Sequence, residues 1–165
     1  MKKTTLTIYS AMLAALICVA TMVIKIPSPV GGYANAGDAL VLLAGFVLPP
    51  HFAFLSAAVG SALADLFSGY VIYAPATFII KGAVALVMCY SSRRSPKGSV
   101  FSLAIDGLIA EVVMVGGYLI YETFLYGFAP SLLNVSINAV QGVVGIILSI
   151  PLIKIYSHVS RNIKK

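Results

Sequence analysis

Apolar positions along this chain fall in long blocks, at roughly 5–24, 39–49, 52–67, 75–91, 101–124 and 131–157. Polar residues are gathered between the blocks. A helix needs about 20 apolar residues to cross the hydrocarbon core of a bilayer, with a minimum near 17. The first, fifth and sixth blocks satisfy this alone. The second is short and runs into Pro49-Pro50. Those prolines lack backbone donors and push the preceding residue out of helical geometry. The pattern predicts an all-α bundle of six transmembrane helices, one membrane domain over 1–165, with a break between the second and third helices. A single kinked helix over 39–67, giving five spans, is the alternative.

Composition narrows the class. Hydrophobic residues make up 60% of the 165 residues and charged ones 10%, with a mean hydropathy of +1.01. Soluble domains carry about 25% charged residues, and a chain this small cannot bury so much apolar surface in a core of its own. A soluble globular protein, a disordered chain and a nucleic-acid binder are excluded. The net charge of +6 reflects membrane topology. Lys2, Lys3, Arg93, Arg94, Lys97, Lys154, Arg161, Lys164 and Lys165 fall on one side of a six-span chain, against Lys25 on the other and Lys81 within the fourth helix. The positive-inside rule then places both termini and the 92–99 loop in the cytoplasm. The first block is too long for a signal peptide's apolar region, and the small residues Ala34-Asn35-Ala36 lie well beyond its end, so it is expected to remain as a helix.

The two ends of the bundle differ. The segments assigned outside, 25–38, 68–74 and 125–130, are rich in Gly, Pro, Tyr and Asn, which build ordered turns. Ionisable groups inside a membrane are costly and mark candidate sites. Here they are Asp65, Lys81, Asp106, Glu111 and Glu122, with Asp38 at a border. Asp38 reads as the N-cap of the second helix. Asp65 and Lys81 read as an ion pair, in which Lys81 can still donate to a ligand. Glu111, Tyr118 and Glu122 share one face of the fifth helix at about 100° per residue, and Asn134, Asn138 and Gln141 share one face of the sixth. Two polar stripes in apolar helices fit either a ligand site or hydrogen bonds that hold the helices together. Ala11 and Ala15 lie one turn apart in the first helix. Such small residues permit close helix contact, within the chain or with a partner. Ser56, Gly60 and Ala64 repeat that spacing in the third.

Cys18 and Cys89 sit in apolar runs without metal-ligand spacing and read as inert thiols. His51 and His158 lack a nucleophile arrangement, and no phosphate-binding Gly-Lys-Ser/Thr loop occurs. No cofactor, metal or catalytic residue is expected.

The chain resembles the substrate-binding S components of energy-coupling factor (ECF) vitamin transporters. The resemblance rests on Ala11-x-x-x-Ala15, on YANAGDALVLLAGFVLPP, on GSALADLFSGYVIYAPATFIIKG and on Asn138-x-x-Gln141-Gly142. It covers nearly the whole chain and is nearest the riboflavin-type group, which includes members assigned to pyridoxine or hydroxymethylpyrimidine. It implies a non-catalytic subunit that captures a vitamin from outside. Its partners would be a membrane coupling subunit and two cytoplasmic ATPases, and the whole S component would topple to deliver its ligand. Ala11 and Ala15 would meet the coupling subunit. The loops around Tyr33, Asn35 and Gly37 and around Tyr70 and Tyr73 would cover the pocket. Glu111 and Glu122 match no motif of the family, so their ligand role rests on the stripe alone. The expected substrate contacts are Asn35, Tyr70, Tyr73, Lys81, Glu111, Tyr118, Glu122, Asn134, Asn138 and Gln141. These suit a flat heteroaromatic ring with hydroxyl groups. The competing readings are a self-sufficient secondary transporter coupled through Glu111 or Asp65, and a membrane scaffold without a ligand.

Overall fold

The computed structural model describes residues 3–28, 31–95 and 99–163. Lys2, Lys97, Lys164 and Lys165, counted above toward orientation, lie outside them. Six helices follow in order: α1 (Lys3–Val23), α2 (Asp38–Val47), α3 (Pro50–Phe67), α4 (Ala74–Arg94), α5 (Val100–Tyr126) and α6 (Phe128–Ile163). Five of them are long and apolar enough to cross a membrane, and α2 is not. Ten helical residues reach only about 15 Å, half of the roughly 30 Å hydrocarbon core. The break predicted at the prolines is present, with Leu48 and Pro49 extended and Pro50 opening α3.

Why α2 tolerates being short follows from its surroundings. It packs against α1, α3, α4 and α6, and Val41, Leu42 and Ala44 are wholly buried. Non-helical backbone at membrane depth survives where protein surrounds it. Leu48 is buried, and its carbonyl accepts the Cys89 thiol at 3.5 Å.

Close contacts fix the directions of the helices. Ser10 bonds Ser56 at 2.8 Å, and Gly60 lies against the Ala14 carbonyl, so α1 and α3 run parallel. The small residues of α3 are therefore used for packing within the chain. Gly45 meets Ala85 and Met88, and Asp38 meets Lys81, so α2 runs parallel to α4. Glu111 lies against Gly142, and Gly107 against Ile146, which makes α5 and α6 antiparallel. α2 thus reverses the chain between α1 and α3.

One element departs from the all-helical expectation. Residues read as a loop form an antiparallel hairpin, β1 (Lys25–Pro27) with β2 (Tyr33–Asn35), pairing Lys25 with Asn35 and Pro27 with Tyr33. Gly31 and Gly32 take positive φ at its turn. A side chain at Gly32 would also meet the Tyr73 ring at 3.1 Å. Glycine therefore lets the hairpin lie down on the end of the bundle formed by the start of α4, the end of α5 and the start of α6. At the opposite end, Asp106 of α5 accepts hydrogen bonds from Ser91 and from Ser95, the latter at 2.7 Å, and so clamps the connection after α4.

Outward surfaces are apolar, as lipid requires: Ile79, Val112, Ile120, Val140 and Ile147 are all exposed. From Ser131 to Ser149 the buried face of α6 is polar or small, with Ser131, Asn134, Asn138, Gln141, Gly142, Gly145 and Ser149 on one stripe.

Candidate functional site

Beneath the hairpin, α1, α3, α4, α5 and α6 surround one polar cavity. Asn35, Tyr73, Lys81, Tyr118, Glu122, Asn134, Asn138 and Gln141 all line it, so most of the contacts expected from the sequence converge. The side chains close down on a free volume of about 30 Å³, room for a couple of waters.

The cavity floor is a buried ion pair, though not the expected one. Lys81 binds Asp38 rather than Asp65. The second oxygen of Asp38 accepts Gln141 Nε2 at 2.5 Å. Asp38 is also no helix cap. Gly37 occupies that position, with no side-chain cap. Gln141 Oε1 in turn accepts the backbone N–H of Asn35 at 2.9 Å. This ties α2, α4, α6 and β2 at one point. Lys81 also lies 5.5 Å from the centre of the Tyr118 ring.

Asp65 belongs instead to the cover. Its Oδ1 accepts the Tyr33 hydroxyl at 2.6 Å. The Tyr73 hydroxyl donates to Glu122 Oε1 at 3.4 Å. Burial pushes both tyrosine hydroxyls well above their usual pKa. At Tyr33 the adjacent Asp65 adds to the shift, and at Tyr73 the neighbouring Tyr126 and Glu122 do. Both therefore stay protonated donors at any physiological pH. Asn134 holds the hairpin, donating to the Gly31 carbonyl at 3.1 Å and accepting from Ser28. Four tyrosine rings roof the site in sequence: Tyr33 to Tyr70 at 4.6 Å, Tyr70 to Tyr73 at 6.4 Å, and Tyr73 to Tyr121 at 5.8 Å.

Two expected contacts are not in the cavity. Tyr70 reaches it only through the rings of Tyr33 and Tyr73. Glu111 lies behind the floor, packed against Gly142, with neither carboxylate oxygen hydrogen-bonded among the described residues. Replacing Glu111 with Leu is expected to leave ligand affinity unchanged and to raise thermal stability, since a buried polar group without a partner costs about 1–3 kcal/mol. A weaker ligand titration in that variant would return Glu111 to the site.

Thr21, Ser61, Asp65 and Thr77 also line the cavity and were not among the expected contacts. Ser61 with Asp65, and Thr77 with Lys81, are i, i+4 pairs on apolar helices. The stripe test that selected α5 and α6 would have found them.

Helices with apolar outward faces around a polar cavity fit the class of membrane proteins that bind a solute. The sequence profile described as ECF-type riboflavin transporter, S component, matches residues 1–158. A solved S component of a bacterial ECF transporter aligns with 99% of this chain and 100% of its own, at 26% identity and a TM-score of 0.71. An uncharacterised Pyrococcus woesei protein, described as lying in a gap 3′ region, is 32% identical over 133 residues, 80% of this chain and 88% of that one. The chain belongs to the ECF-type riboflavin transporter S component family. It is a multi-pass membrane protein and a substrate-binding transport component.

Proposed function

We propose that this chain is the non-catalytic specificity subunit of an ATP-driven importer in a bacterial cell membrane. It binds a small heteroaromatic vitamin or precursor at the hairpin end, with riboflavin, pyridoxine and hydroxymethylpyrimidine as the candidates. Both termini and Arg93-Arg94 lie in the cytoplasm and the hairpin outside, a reading supported by the basic residues gathered at one end of the chain's helices, with α2 as a short buried sixth pass. The side chains leave about 30 Å³ of free volume, too little for a ring-sized ligand, so binding requires the lining side chains to move apart. ATP hydrolysis resides in two cytoplasmic partner subunits, reached through a membrane coupling subunit.

The observation that carries the ligand reading is Asn138. Its side chain lines the cavity, is 9% exposed and forms no hydrogen bond among the described residues. A carboxamide that served only to join helices would be bonded to one. Asn138→Ala is expected to weaken ligand binding by about 1–3 kcal/mol through a ligand group left unpaired, at unchanged expression and thermal stability. Titration of the purified variant checks this, and wild-type affinity would assign the stripe to packing.

Docking has its own support. α1 packs mainly on α3, with Ser10 bonded to Ser56 and Ile17 beside Gly60, leaving Ala11 and Ala15 on its exposed side. The packing explanation for these two alanines within the chain thus loses its partner helix, and contact with the coupling subunit is the reading we adopt.

A further inference from the structure

The acidic and basic side chains of the cavity are not balanced in number. Lys81 is the cation among the described lining residues, and Asp38 already neutralises it through a direct ion pair. Lys25, at the hairpin, bonds Ser68 at 2.9 Å and does not line the cavity. Two further carboxylates do line it, Asp65 and Glu122, at 4% and 3% exposure. Each uses one oxygen on a roof tyrosine. The other oxygens, Asp65 Oδ2 and Glu122 Oε2, are buried without a hydrogen-bond partner among the described residues.

Buried acceptors without donors are rare in folded proteins and call for an explanation. The two carboxylates come from different helices, α3 and α5, and both belong to the wall of one void. A ligand that brings N–H donors would satisfy both oxygens. A cationic donor would also offset their charge, because hydrogen bonds to ionised groups are the stronger kind. An anionic ligand would add a like charge to a desolvated site with no unpaired cation among the described lining residues to receive it. A neutral ring offering only acceptors would leave both oxygens unpaired.

We infer that the cavity selects an amino-bearing, cationic heteroaromatic ligand, held through N–H donors on Asp65 and Glu122, and rejects phosphorylated or carboxylated forms of the same ring. This rests on the vitamin-binding reading above and narrows its substrate class.

The test uses three pyridines that differ in one substituent: pyridoxamine, pyridoxine and 4-pyridoxic acid. 4-Amino-5-hydroxymethyl-2-methylpyrimidine, its phosphate ester and riboflavin complete the set. Each is titrated into the purified full chain. The amine is expected to bind at least tenfold tighter than the alcohol, with the carboxylate and the phosphate ester at least a hundredfold weaker than their amino-bearing counterparts. Asp65→Asn and Glu122→Gln keep side-chain shape and remove charge. Each is expected to reduce the amine-to-alcohol ratio about tenfold, and a ratio is insensitive to partial loss of folded protein. Tightest binding of an acid, a phosphate ester or riboflavin overturns this inference and leaves the vitamin-binding reading standing. An unchanged ratio in both variants does the same. Binding of none of the six compounds overturns the vitamin-binding reading, and this inference falls with it.

Discussion

Replacing Lys81 with Ala is expected to destabilise the protein by about 3–5 kcal/mol, the usual cost of leaving a buried carboxylate without its partner. Asp38 is completely buried, and its remaining bond to Gln141 cannot supply a compensating charge. On the scale of soluble chains of similar size, the apparent melting temperature falls by roughly 10 °C. Removing both charges, with Lys81→Met and Asp38→Asn together, is expected to recover most of the loss, because the introduced carboxamide can still bond Gln141 and no charge remains unpaired. Thermal unfolding of the single and double variants in one detergent checks this. A double variant no more stable than Lys81→Ala would show that the pair does not act as a unit. From sequence alone Lys81 reads as a partner of Asp65 that can also contact a ligand. The ion pair places it chiefly at the floor that holds α2, α4 and α6 in register.

The second large effect concerns assembly. Ala15→Trp is expected to abolish transport that depends on partner subunits while the isolated chain keeps near-wild-type ligand affinity. Tight helix packing in lipid relies on small side chains that let two backbones approach, and an indole at position 15 holds the neighbour away. Ala15 lies on the exposed face of α1 and does not line the cavity, to which α1 contributes Thr21. Co-purification with the coupling subunit, measured beside a ligand titration, separates the two roles. Normal assembly and uptake by the variant would remove α1 as the docking surface. Lost ligand binding would show instead that α1 supports the cavity.

The parts of this structure that could be read from sequence are those set by one helix at a time. The apolar blocks match the six helices to within three residues, except that α6 runs on to Ile163, six residues past the end of its block, and Pro49-Pro50 marks the reversal after α2. The face shared by Asn134, Asn138 and Gln141 follows from helical period alone. Pairings across the chain were not legible in this way. Asp38 and Lys81 are 43 residues apart, and Asp65 is an equally good partner until the depth of α2 is known. The hairpin left little signal, because strands of three residues, one containing a proline, have no measurable alternation. Glu111 shows the limit of the stripe argument. It shares a face with Tyr118 and Glu122, but seven residues separate it from Tyr118. That is about 10 Å along the axis, enough to carry it behind the floor and against Gly142.

The central claim is that the polar cavity beneath the hairpin holds a heteroaromatic solute. Native mass spectrometry of the purified chain, equilibrated with riboflavin, pyridoxine, pyridoxamine and 4-amino-5-hydroxymethyl-2-methylpyrimidine together, addresses it directly. One compound bound at one copy per chain, and retained to a lesser extent in Asn138→Ala, is the predicted result. A chain that retains none of the four, or that retains its ligand undiminished in Asn138→Ala, would contradict the account.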